Sequence, residues 1–258
     1  MLVSCTAGAR PRLKAQDTRI RLAAAADLQF AMTDLAAQFE KQTATKVDVT
    51  YGSSGNFFAQ IANGAPFDLF FSADMDYPRR LEAAGLAEPG TLCEYAIGHL
   101  VIWTRSDART DVAKQGFKAL LNPSVQKIAL ANPEHAPYGR AAVAALRTAG
   151  LYEQLLPKLV YGENAAQAAQ FVQSGNAQAG LLPLSMALSP AMSAGRWWEL
   201  SAGGYPAIEQ GAILLKRAEH QAAARRFLDF VRSAAGRRTL TKYGFAVPGE
   251  SPRPSPRS

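Results

Sequence analysis

Short runs of alternating apolar residues are each followed by an amphipathic helical pattern along this chain. Residues 20–24 alternate as a β-strand does, and apolar residues then recur at helical spacing. The same order repeats for a strand at 47–51 before a helix at 57–61, and for a strand at 68–71 before a helix at 77–84. Strands that alternate with helices over short connections predict a mainly parallel sheet flanked by helices.

A second series of strands and helices begins after a long apolar run at residues 95–103. This run predicts one long strand, and we expect the chain to cross into a second lobe along it. Residues 212–215 predict a strand that returns to the first lobe, followed by amphipathic helices at 219–233 and 236–243. Two sheets joined by two crossings predict an α/β protein of two lobes with a cleft between them.

The expected domain boundaries follow from this pattern. Lobe 1 comprises residues 19–97 and 207–247, and lobe 2 comprises residues 98–206. Residues 1–18 have no apolar periodicity, and the Pro-, Ser- and Arg-rich residues 248–258 cannot pack a core. We therefore expect both ends of the chain to be disordered.

Composition and charge narrow the possible functions. The chain has 258 residues, of which 48% are hydrophobic, and it carries a formal net charge of +7. Three of these seven units of charge lie in the two ends, and the remaining basic residues are scattered among acidic ones. Nucleic-acid binding needs basic residues gathered on one face, so we expect no nucleic-acid partner. The length and the hydrophobic content predict a well-packed core. We also expect the protein to be a monomer.

The two cysteines, Cys5 and Cys93, are too few for a disulfide scaffold. Residues 2–5 have the form Leu-x-small-Cys of a bacterial lipoprotein cleavage box, but no apolar stretch precedes them. Two interpretations stay open. Either the match is chance, or the sequence starts inside a longer signal peptide and Cys5 carries a lipid anchor.

Four connections from a strand to a helix share small and polar residues. They contain Asp27, Ser53 with Ser54, Tyr138 and Asn164. Asp, Ser and Asn commonly cap helices, so capping explains each connection taken alone. In an open parallel sheet, however, ligands bind beyond the carboxyl ends of the strands, where all four connections would lie.

Converging helix N-termini make an anion site without Lys or Arg. Each N-terminus offers unpaired N–H donors and roughly half a positive charge, and the hydroxyls of Ser53, Ser54 and Tyr138 would add donors. Such a site selects a small, fully deprotonated oxyanion, because a ligand with its own O–H would need an acceptor. The sequence therefore predicts an oxyanion-binding protein with no catalytic residue, no cofactor and no side chain bound directly to a metal.

Five segments along the chain carry a resemblance to a known family. They are AAADL at 24–28, YGSSGN at 51–56, GAPFDLFFSAD at 64–74, NPEHAPYG at 132–139 and KYGF at 242–245. In this order and spacing they resemble the periplasmic molybdate-binding proteins of ABC transporters. The resemblance covers residues 19–247 and implies a two-lobed, type II Venus-flytrap fold. It also implies a molybdate or tungstate ligand held by hydrogen bonds, a membrane permease as partner and a periplasmic location.

The resemblance further implies which residues bind the anion. Ser54 matches the serine of the second connection, Tyr138 follows the proline of the third, and Ala165 matches a backbone donor of the fourth. Two positions depart from well-known members of the family: Asp27 stands where they carry Ser, and Pro183 stands where they carry Tyr. We expect the Tyr138 phenol to replace the missing one.

A carboxylate at position 27 would repel an anionic ligand. At about 4 Å from a dianion, with an effective dielectric constant of about 20, the repulsion is roughly 8 kcal/mol. We therefore expect the Asp27 side chain to turn away and cap its own helix. The N–H groups of Asp27 and Leu28 would then be left for the ligand.

Two alternative functions stay open. A binding protein for sulfate, phosphate or another oxyanion would have the same fold and the same cleft. An enzyme with a small anionic substrate is a more distant alternative, because the chain has no GxSxG, HExxH, Walker or GxGxxG motif. His135 lies near the predicted site, where a structural role is expected for it.

Overall fold

The fold is described by a computed structural model over residues 18–249. The expectations for Cys5 and for the rest of residues 1–17 and 250–258 lie outside the described residues. Within this range the strands are β1 (Arg19–Ala25), β2 (Lys46–Gly52), β3 (Leu69–Ser72), β4 (Cys93–Gly98), β5 (Leu100–Thr104), β6 (Ile128–Ala131), β7 (Leu159–Gly162), β8 (Ala179–Pro183), β9 (Arg196–Glu199) and β10 (Ile208–Leu214).

Helices follow most strands of the described range, and none of them is long and apolar enough to cross a membrane. Three short 3₁₀ helices span Ala26–Leu28, Gly116–Leu121 and Leu156–Lys158. The α-helices are α1 (Gln29–Thr43), α2 (Ser54–Ala62), α3 (Asp76–Ala83), α4 (Val112–Gln115), α5 (Pro137–Thr148), α6 (Tyr152–Leu155), α7 (Ala165–Gln173), α8 (Leu184–Ala187), α9 (Gln221–Arg232) and α10 (Ala234–Lys242).

Each lobe contains one five-stranded sheet with a single reversed strand. The order in lobe 1 is β2-β1-β3-β10-β4, and β10 runs antiparallel to both of its neighbours. The order in lobe 2 is β7-β6-β8-β5-β9, in which β5 is the reversed strand. In both lobes the reversed strand is the first one after a crossing. The predicted α/β fold of two mainly parallel, helix-flanked sheets is confirmed.

The chain crosses from lobe 1 to lobe 2 within a single residue. Strand β4 ends at Gly98 and β5 begins at Leu100, and the two strands belong to different sheets. The prediction of one continuous strand over residues 95–103 is therefore wrong. Every residue of β5 and half of those of β4 are buried, so the apolar pattern runs on from one strand to the next and gives no sign of the break. The return crossing lies between β9 and β10.

The core of lobe 1 holds the helix that follows the first strand. Leu35 and Phe39 of α1 are buried as their helical spacing predicts. Phe39 packs edge-on against Phe227 of α9 at a centroid distance of 5.1 Å, and Phe227 packs in the same way against Phe71 of β3. This packing holds α1 against α9, and α9 against β3, in the core of lobe 1.

The two lobes are in contact at the ends that face each other. Ala25 and Ala73, which follow or end strands of lobe 1, are buried in the same apolar cluster as Leu100 and Tyr138 of lobe 2. The carboxyl ends of the strands in the two sheets therefore meet at one junction.

Candidate anion-binding site

The second and third connections touch across the junction between the lobes. His135 Nδ1 lies 2.9 Å from Ser53 Oγ, and the Gly55 N–H donates to the His135 carbonyl at 2.9 Å. The third and fourth connections also meet, because His135 Nε2 lies 3.6 Å from a carboxylate oxygen of Glu163. His135 thus joins three of the elements that the sequence predicted to converge.

The first and fourth connections share one apolar cluster. Ala26, in the 3₁₀ helix that follows β1, packs with Ala165 and Ala168 of α7. The Ser185 hydroxyl of α8 donates to the Asp27 carbonyl at 2.7 Å. All four predicted connections therefore meet at the carboxyl ends of β1, β2, β6 and β7, which is where open α/β sheets bind ligands.

The two serines of the second connection have different roles. Ser53 is the N-cap of α2, and its Oγ accepts the Asn56 N–H at 3.3 Å. Ser54 opens α2 and is fully buried, and its Oγ accepts the Ala73 N–H at 3.0 Å. The Ser54 hydroxyl proton is therefore left to donate, and its N–H has no acceptor within the helix. Ser54 can offer two hydrogen bonds to an anion.

The third connection runs directly into a helix. Helix α5 begins at Pro137, with proline in the first turn, where its missing N–H costs nothing. Tyr138 therefore projects from the first turn of a helix. A Cβ on Gly139 would come within 2.2 Å of the Ala131 carbonyl oxygen, so only glycine lets this helix start directly against the end of β6.

The fourth connection presents a backbone donor. Asn164 is the N-cap of α7, and its Oδ1 accepts the N–H groups of Ala166 at 3.0 Å and Gln167 at 3.1 Å. Ala165 opens the helix, so its N–H has no acceptor within α7. The Asn164 amide oxygen thus serves the helix, and Ala165 supplies the donor for a ligand.

Asp27 does not take the position expected of it. The N-cap of its 3₁₀ helix is Ala25, and no side chain caps that helix. The carboxylate Oδ2 instead accepts a hydrogen bond from Gln210 Nε2 of β10, and Asp27 is only 1% exposed. The prediction that Asp27 turns away to cap its own helix is wrong. Its carboxyl group faces the junction, where Gln210 also donates to Tyr138 Oη at 3.2 Å.

Burial disfavours the charged form of this carboxyl group. Desolvation raises the pKa of Asp27 from 3.8 to about 6, although hydrogen bonds from Gln210 and Tyr138 and the nearby N–H groups of Asp27 and Leu28 act to lower it. Burial, together with Asp27, raises the pKa of Tyr138 well above its usual value, so the phenol keeps its proton. The two N–H groups that were expected to bind the ligand thus act on the Asp27 carboxyl group.

Gln210 and Tyr95 are site residues that the sequence reasoning missed. Gln210 is fully buried in β10, and its Oε1 accepts the Tyr95 hydroxyl at 2.6 Å. This bond fixes the amide so that Nε2 points at Asp27 and Tyr138. The sequence did contain a signal for Gln210, because it is a glutamine at an inward-facing position of a strand. A buried amide needs hydrogen-bond partners, so such a residue indicates other polar groups nearby.

The basic residue nearest in sequence to the third connection is already paired. Arg140 Nη2 of lobe 2 bonds to Asp74 Oδ2 of lobe 1, and its Nη1 lies 3.4 Å from the Tyr77 hydroxyl. The donors left for an anion at the junction are accordingly neutral ones. Over residues 18–249, no group of three or more His, Cys, Asp or Glu is placed to hold a metal ion.

These features place the chain in a known class. Residues 20–246 match the family model of bacterial extracellular solute-binding proteins, and the chain belongs to that family. It is 36% identical to the molybdate-binding protein ModA of Azotobacter vinelandii, over 90% of this chain and 92% of that protein. It is also 36% identical to ModA of Rhodobacter capsulatus, over 87% of each. The solved structure of the A. vinelandii periplasmic molybdate-binding protein superposes with a TM-score of 0.84 at 32% identity, covering 89% of this chain and 99% of that one.

Proposed function

We propose that this protein binds molybdate and tungstate outside the cytoplasm, in the periplasm, and delivers the anion to the permease of an ABC transporter without catalysing a reaction. The observation that carries this proposal is that the second connection, which holds Ser54 of lobe 1, and the fourth connection, which holds Ala165 of lobe 2, both meet His135 at one junction. Relatives that are 36% identical over most of the chain and are named molybdate-binding proteins support the choice of anion.

The donors in the site suit a fully deprotonated tetrahedral oxyanion. Ser54 offers its hydroxyl and its N–H, Ala165 offers an N–H, and each hydrogen bond to a charged acceptor contributes about 1.5–3 kcal/mol. A few such bonds account for micromolar or tighter binding. Neutral donors also avoid the desolvation cost of burying an arginine or lysine beside the ligand.

Contacts between the lobes indicate how the anion would be enclosed. Arg140 with Asp74, and His135 with Ser53, join lobe 2 to lobe 1 through polar side chains whose partners water can replace when the lobes separate. We infer that the open form admits the anion, that closure brings donors of both lobes onto it, and that the closed surface is what the permease recognises.

Hydrogen phosphate is the second candidate, and one observation favours it. Asp27 Oδ1 is buried without a hydrogen-bond partner among the described residues, and an ionised carboxylate there would accept the proton of such an anion. Sulfate has no proton to offer. An ionised Asp27 therefore favours hydrogen phosphate, and a protonated Asp27 favours a fully deprotonated anion such as molybdate.

Calorimetric titration of the purified protein with molybdate, tungstate, sulfate and phosphate tests the proposal. We expect molybdate and tungstate to bind with micromolar or lower Kd, and excess sulfate not to displace them. Tight phosphate or sulfate binding without a response to molybdate would reject the choice of anion. No response to any of the four would reject oxyanion binding altogether.

A further inference from the structure

A buried carboxyl group stands among the predicted anion donors without a cation to balance it. Asp27 is 1% exposed, and no ion pair joins it to a Lys, Arg or His of residues 18–249. Its Oδ2 accepts from Gln210, while its buried Oδ1 has no partner with hydrogen-bond geometry in the same range. A buried, half-satisfied carboxylate is costly unless it is protonated or finds a donor.

The groups that act on the Asp27 carboxyl group are all neutral: the Gln210 amide of β10, the Tyr138 phenol of α5 and the nearby N–H groups of Asp27 and Leu28. Ser185 of α8 bonds only the Asp27 backbone carbonyl, and Tyr95 on β4 reaches Asp27 through Gln210. Helices α7 and α8 contain no titratable side chain. On the flanking β2, the Tyr51 hydroxyl forms a hydrogen bond with the Thr33 hydroxyl. The charged side chains of Asp74 and Arg140 bond to each other.

The Tyr138 phenol has one proton and two possible acceptors. Its oxygen already accepts from Gln210, so its own proton can go either to the Asp27 carboxylate or to a bound anion. If Asp27 is ionised, it competes with the ligand for this proton and repels the ligand as well. If Asp27 is protonated, both effects disappear, and Oδ1 gains an O–H where it now has no partner.

We propose that the Asp27 carboxyl group takes up one proton from solvent on Oδ1 when the junction closes on a fully deprotonated oxyanion, and that it is a hydrogen-bond donor in the complex. This inference rests on the proposed function. An O–H bond forms at Oδ1 as the corresponding bond breaks in hydronium or a protonated buffer molecule in solvent, and the carboxylate becomes neutral as the dianion arrives. Position 27 thus sets both the pH dependence of binding and the preference for the deprotonated anion.

Desolvation already raises the pKa of Asp27 to about 6 before any anion is present. A neighbouring dianion raises it further, because a like charge disfavours the ionised form. Between these two pKa values, binding and protonation are linked one to one. The affinity for molybdate then falls about tenfold for each unit of pH above about 6.

The test is calorimetric titration with sodium molybdate at pH 7 and pH 8, in pairs of buffers with different ionisation enthalpies. We expect the wild-type protein to take up close to one proton per molybdate at pH 8, and to bind about tenfold more weakly than at pH 7. Asp27→Asn should take up none and bind equally well at both values. Asp34→Asn, at a partly exposed carboxyl group paired with Lys242 and the Tyr243 hydroxyl, is the matched control and should behave as the wild type.

The possible failures are distinguishable. Tight molybdate binding with no proton uptake at pH 8 overturns the inference and leaves the proposed function intact. Phosphate binding tighter than molybdate, without proton uptake, would show that Asp27 is an acceptor. If Asp27→Asn does not fold, infrared difference spectra of the wild type at pH 8 decide: molybdate must produce a protonated-carboxyl band. If the wild type binds no molybdate at either pH, the proposed function and this inference fall together.

Discussion

In the fourth connection Asn164 bonds to the next two N–H groups of its own helix, whereas in the first connection Asp27 bonds to Gln210, which is 183 residues further along the chain. Both residues follow a strand, both precede a helix and both are common N-caps. The difference lies in their surroundings. Asn164 caps the helix that follows the edge strand β7, while Asp27 faces the strand that returns from lobe 2.

The comparison shows that a capping residue can carry either a local or a long-range role. The Asn164 side chain accepts hydrogen bonds from two N–H groups of its own helix, and the N–H of Ala165 is left for a ligand. Asp27 adds a titratable group to a junction whose other members are neutral. Three variants sharpen this contrast, because each changes one polar side chain and has a matched control.

The largest effect is expected from the pH dependence of stability at Asp27. Its pKa is raised to about 6 in the folded protein, so the unfolded chain releases the proton first as pH rises. The stability that the protonated form contributes is present below about pH 4 and is lost as pH rises through 6. The loss is roughly 3 kcal/mol for a shift of about two units. Asp27→Asn should not show this loss of stability, because asparagine does not titrate.

Urea unfolding without anion from pH 4 to 7.5 measures this difference. The gap between Asp27→Asn and the wild type should widen by roughly 2.5 kcal/mol over this range in favour of the variant, because a small part of the loss has already occurred at pH 4. Asp34→Asn, whose carboxyl group has its pKa lowered by Lys242, should show no such gain. Parallel pH profiles for Asp27→Asn and the wild type would mean that Asp27 is not buried in its charged form.

The second effect is expected at Ser54. Ser54→Ala leaves the buried Ala73 N–H without its acceptor, which costs about 1–3 kcal/mol of stability. It also removes a donor to the charged ligand, so molybdate affinity should fall about tenfold to a hundredfold. Thermal unfolding and calorimetry measure the two quantities. Ser193→Ala, at an exposed serine of lobe 2, should change neither, and unchanged affinity in Ser54→Ala would place the anion elsewhere.

The smallest effect is expected at Asn164. Asn164→Ala removes the cap of α7 and should cost about 1 kcal/mol of stability, while Asn164→Ser keeps a capping oxygen and should lose less. Because the ligand donor of this connection is the backbone N–H of Ala165, molybdate affinity should change by less than about threefold. A loss as large as that of Ser54→Ala would show that the Asn164 side chain itself binds the anion.

The local parts of this architecture could be predicted from the sequence, and the long-range parts could not. Alternating periodicities predict each strand and helix, and small polar residues after strands mark the four connections. The pairing of Gln210 with Asp27 depends on how the returning strand enters lobe 1, which no local pattern encodes. The break at His99 was missed for a related reason, since two buried strands in different sheets have one continuous apolar pattern.

The position of the anion tests the central claim most directly. A crystal structure of the molybdate complex, with molybdenum located by its anomalous scattering, should show the anion between the N-termini of α2 and α7. Its oxygens should accept from the Ser54 hydroxyl and the Ala165 N–H, with no lysine or arginine side chain in contact. An anion held by one lobe alone, or by basic side chains at the surface, would contradict the account.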